Sequence, residues 1–62
     1  MYVLELDKTK MFLHFCETLE QAKGIFNYEC HENISEPFYK VIRLYKVEGA
    51  KITELNKVVF QY

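Results

Sequence analysis

Glycine, proline, cysteine and tryptophan are all scarce in this chain. Its 62 residues hold two glycines, one proline, two cysteines and no tryptophan. With only Gly24 and Gly49, there is no glycine-rich loop to cradle a phosphate. Two cysteines fall far below the density of a secreted disulfide scaffold. No apolar run approaches the roughly 18 residues needed to cross a bilayer, so no membrane association is expected. The start, MYVLELDKTK, lacks a basic stretch followed by an apolar one, so no signal peptide is visible and a cytoplasmic location is the expectation. Repeats, low-complexity tracts and linkers are absent as well, which leaves residues 1–62 as a single domain.

Half of the residues are hydrophobic, and ten are aromatic (five Phe, five Tyr). That is material enough for a core, although a chain this short lies near the lower limit for folding without a metal, a disulfide or a partner. The periodicities predict the order β-β-α-β-β. Tyr2, Leu4 and Leu6 alternate with Val3, Glu5 and Asp7, and Met11 to Phe15 resumes after a polar turn. Thr18 and Gln21 have capping-box spacing, with Glu17 and Glu20 favouring the positive end of a helix dipole. Leu19, Ala22, Ile25, Phe26 and Cys30 then form one helical stripe, which Gly24 weakens without ending. The spacing ends this helix near His31, with Asn33 to Pro37 as an exit loop. Phe38 to Val47 and Ile52 to Tyr62 form a second hairpin across Glu48-Gly49-Ala50. The apolar register slips between Ile52 and Leu55 and resumes at Val58, Phe60 and Tyr62, which predicts a bulge near Glu54. The fold class expected is α+β: one helix packed on a four-stranded, largely antiparallel sheet, its strand order open.

His14-Phe15-Cys16 and Cys30-His31 supply the ligand types of a structural zinc site. A helix over Thr18 to His31 holds the two pairs about 21 Å apart, too far to share one ion or a disulfide. Cys30 and His31 diverge by about 100° around a helix, so they do not form a nucleophile and its base. No serine elbow or acidic metal-ligand run is present. Neither an enzyme nor a cofactor nor a metal site is expected, and Cys30 is read as a small core residue.

Charge and surface are what remain. Residues 17–36 carry Glu17, Glu20, Glu29, Glu32 and Glu36 against Lys23, a net of −4. Residues 37–62 carry Lys40, Arg43, Lys46, Lys51 and Lys57 against Glu48 and Glu54, a net of +3. The overall charge of −1 therefore conceals an acidic helix and a basic hairpin. One helix covers one sheet face, yet the third strand is apolar on both: Ile42 and Leu44 on one side, Tyr39, Val41, Tyr45 and Val47 around Arg43 on the other. The second strand repeats this, with Met11, Leu13 and Phe15 opposite Phe12, His14 and Cys16. Uncovered apolar surface of this kind marks a contact site.

Two functional classes fit. In the first, the chain is a non-enzymatic protein-binding module, an inhibitor or modulator of another protein. It is expected as a homodimer, and it acts through Tyr39, Val41, Arg43 and Tyr45 on the sheet and Glu17 and Glu20 on the helix. Small Tyr- and Lys-rich chains of this style are typical of phages and other mobile elements. In the second, Tyr39, Arg43, Tyr45 and Lys57 form an aromatic and basic platform for single-stranded nucleic acid. A net charge of −1 and a sequence pI near 6.1 favour the first.

Overall fold

The computed structural model describes residues 1–61, so Tyr62, expected in the last strand, lies outside the described residues. The elements follow the expected order: β1 (Tyr2–Asp7), β2 (Met11–Cys16), α1 (Leu19–Ser35), β3 (Val41–Glu48) and β4 (Lys51–Val59). The four strands make one antiparallel sheet in the order β2-β1-β3-β4. The two central strands are thus β1 and β3, which are distant in sequence, and each hairpin contributes one edge.

The helix begins where a side chain satisfies its first donors. Thr18 is extended, with φ −115°, and its hydroxyl accepts a hydrogen bond from the Gln21 amide at 3.2 Å. The helical stripe then meets alternate residues of β1 and β3. Leu4, Leu6, Ile42 and Leu44 from the sheet pack with Ala22 and Phe26 from the helix, and Cys16 closes the end of β2. Ile25 and Cys30 pack against this core from its margin. The helix lies on β1, β2 and β3, leaving β4 largely beyond its reach.

Two boundaries differ from the sequence expectation, for one reason. The helix runs past His31 to Ser35, and the third strand begins at Val41 rather than Phe38. Asn33, buried in the last helical turn, ties these segments together. Its Oδ1 accepts from the Phe38 amide at 2.8 Å and the Tyr39 amide at 2.7 Å, and its Nδ2 donates to the Tyr39 carbonyl at 2.9 Å. These backbone groups are bonded to a side chain instead of a neighbouring strand, so the ladder starts only after them. His31 is therefore followed by another full turn, and Asn33 belongs to the helix.

The second hairpin turns through Gly49 and Ala50, with Glu48 opposite Lys51. Gly49 carries the positive φ of 58° that a two-residue type II′ loop requires at its first position. The bulge lies where the slip in the sequence put it. Leu44 pairs with Asn56 but Tyr45 pairs with Glu54, leaving Leu55 as the extra residue on β4.

Replacing Asn33 with Leu keeps the volume but orphans three backbone groups; urea unfolding should show a loss of about 2–4 kcal/mol. Gly24→Ala should act oppositely, because a Cβ there meets nothing within 4 Å. The same titration should show a gain of about 0.5–1 kcal/mol.

Candidate interaction surface

The strand registers define the sheet face that α1 leaves uncovered. Residues opposite one another in an antiparallel pair point to the same side. Three cross-sheet rows follow: Phe15–Val3–Tyr45–Glu54, Leu13–Glu5–Arg43–Lys57, and Met11–Asp7–Val41–Val59. The middle of this face is ionic. The Arg43 guanidinium bonds the Glu5 carboxylate and lies 3.8 Å from Asp7 and 4.0 Å from Glu54. Arg43 and Glu5 are both mostly shielded from solvent, which strengthens their pairing over that of an exposed salt bridge.

Arg43, Tyr45, Val41 and Lys57 therefore share one face, as the alternation of the sequence requires. Tyr39 does not join them. Asn33 holds its backbone outside the strand, so the two-residue alternation does not extend to it. Its ring packs against the core beneath the end of α1, edge-on to Phe38 with centroids 5.0 Å apart. The four-residue platform expected for nucleic acid is thus incomplete. Its arginine is also engaged by carboxylates, and Glu5, Asp7 and Glu54 outnumber Arg43 and Lys57 on this face.

One contiguous apolar row of the open face lies along β2. Met11, Leu13 and Phe15 form one row and are 57%, 52% and 60% exposed. On the other side of the same strand, Phe12 is 48% exposed and His14 is exposed, because the helix covers only the Cys16 end. The sequence showed that this segment is apolar on both sides. That it forms a sheet edge, with a row of backbone groups unpaired on its outer side, follows from the strand order alone.

Glu17 and Glu20 are exposed at the start of α1, immediately after β2. The other end of the helix is acidic too. Glu29, Glu32 and Glu36 surround a cavity of about 410 Å³ with the Tyr28, Phe38 and Tyr39 rings, and no basic residue occupies the last turn. The Lys8 ammonium lies 3.4 Å from the centre of the Phe38 ring. A hydrogen bond to Glu32 pushes the Tyr28 phenol above its ordinary value, aided by the charges of Glu32 and Glu29.

Cys16 and Cys30 are both unpaired, and burial pushes both thiols up, opposite to the shift that makes a reactive nucleophile. Among the described residues, no three His, Cys, Asp or Glu side chains converge as metal ligands. Burial is also the leading cause that raises the Tyr39 and Tyr45 phenols, with Glu29 adding to the first and Glu5 to the second.

These four raised groups have the same sign of linkage. Each holds its proton more tightly folded than unfolded, so unfolding at high pH releases protons. Their stabilising contribution is complete below about pH 8.5 and is lost as pH climbs through the phenol range near 10. Thermal melts followed by circular dichroism should therefore show Tm falling steadily above about pH 9. A flat profile to about pH 11 would contradict the burial of these groups.

No known protein family, no curated protein and no solved structure matches this chain.

Proposed function

We propose that this chain is a non-enzymatic protein-binding module that inhibits or modulates another protein, works in the cytoplasm and assembles as a homodimer. The observation that carries this reading is the row of Met11, Leu13 and Phe15, all more than half exposed on an edge strand. A contiguous apolar row beside unpaired backbone groups is costly in water and is relieved by a protein surface. The acidic helix gives this module a second feature. Glu17 and Glu20 at one end and Glu29, Glu32 and Glu36 at the other suit a target with a basic surface. The raised thiols support a non-catalytic role.

The aromatic and basic alternative draws less support. Of its four residues, Tyr39 packs against the core and Arg43 is bound by Glu5. Phosphate would have to compete with that carboxylate and with Asp7 and Glu54 beside it.

A tagged chain incubated with nuclease-treated lysate of its source cells should retain a protein at a fixed stoichiometry. The purified pair should bind in calorimetry, and Glu20→Lys should weaken binding about tenfold without changing the oligomeric state of the module. Failure to retain any protein, together with salt-sensitive binding of a labelled single-stranded oligonucleotide, would replace this reading with the alternative.

A further inference from the structure

The two edges of the sheet are built differently. On β4 stand Lys51, Glu54 and Lys57, and the bulge at Leu55 interrupts its register. Charges and bulges of this kind keep an edge from pairing with another chain. Across Met11–Cys16, β2 has neither device. It holds an unbroken six-residue register against β1 and carries no Lys, Asp, Glu or Pro. One edge is protected and the other is open.

We propose that two copies of this chain pair antiparallel along β2, with Leu13 opposite Leu13 of the second copy, to form one eight-stranded sheet. This rests on the reading of the Met11–Leu13–Phe15 row as a protein contact and specifies what covers it. A two-fold axis perpendicular to the sheet keeps both helices on one side, and it can pair only residues whose side chains share a face. That leaves registers centred on a single residue. With Leu13 on the axis, Met11 meets Phe15 of the second copy, so all three positions of the open-face row oppose apolar partners. On the other face, Phe12 meets His14. A centre at His14 would set Met11 against Glu17 and one imidazole against another. A centre at Phe12 would leave the Cys16 end of each strand unpaired.

Charge at the strand ends does not oppose this register. Lys10 precedes β2 and Glu17 follows it. With Leu13 on the axis, Lys10 opposes Cys16 and Thr9 opposes Glu17 of the second copy, so no like charges meet across the seam. The pairing also closes on itself. It uses both open edges and leaves only the two protected β4 edges outside, so the product is a dimer and not a fibre.

Sedimentation equilibrium of the full chain at tens of micromolar should give the mass of two chains. Leu13→Cys should form an intermolecular disulfide on mild oxidation, because opposed Cα atoms stand about 4.5–5.5 Å apart. Phe15→Cys should not cross-link to itself, its copy lying about 13 Å along the strand. Leu13→Lys should give single chains with an unchanged far-ultraviolet spectrum. A one-chain mass at these concentrations would overturn the proposal. So would a dimer that Leu13→Lys does not split and Leu13→Cys does not cross-link. Either result leaves the protein-binding reading to stand or fall on its own captured target and the Glu20→Lys variant.

Discussion

One helix has to serve four strands, and most features of this structure follow from that shortage of cover. A sheet face sheds water only where another layer lies on it. Here α1 lies on β1, β2 and β3, and the fully enclosed large side chains, Leu4 and Ile42, belong to the two central strands. Towards either edge the same helix-side face grows wetter. Phe12 on β2 is nearly half exposed, and Val58 on β4 is only partly buried. Among the described residues no second helix covers the opposite face.

The uncovered face is stabilised by a different kind of interaction. At its centre Glu5 and Arg43 are directly opposed on β1 and β3, with Asp7 and Glu54 nearby. An ion pair across two central strands fixes their register, since a slip of one residue would carry one of the two charges to the apolar side and part it from the other. The centre of the open face is therefore already satisfied, and the unmet demand for burial moves outward to Met11, Leu13 and Phe15. That displacement is why an exposed apolar row lies on β2, while Arg43 and its carboxylate partners occupy the middle of the open face on β3.

Asn33 decides how the helix hands the chain back to the sheet. It is the buried polar residue at the end of an otherwise apolar stripe, and its amide supplies the partners that Phe38 and Tyr39 would otherwise seek in a ladder. In doing so it brings Tyr39 against the margin of the core and delays the strand to Val41. A single amide thus moves one aromatic ring from the open face to the helix side.

Much of this was legible in the sequence because it depends on local periodicity. The alternation from Tyr2 to Asp7, the Leu19-Ala22-Phe26 stripe, the Thr18 cap and the slip around Leu55 each express the geometry of one element, so the β-β-α-β-β order could be read directly. The ends of α1 and β3 could not, because Asn33 and Tyr39 are linked by side-chain bonds between elements, and Asn33 looks like an ordinary loop residue. The same holds for the interaction surface. The sequence determined that Met11 to Cys16 is apolar on both sides and that Arg43 and Tyr45 share a face. Only the tertiary structure decided that β1 and β3 are central, because strand order depends on pairings between residues some forty positions apart. That order makes β2 an edge, brings Glu5 to Arg43, and leaves Leu13 facing outward.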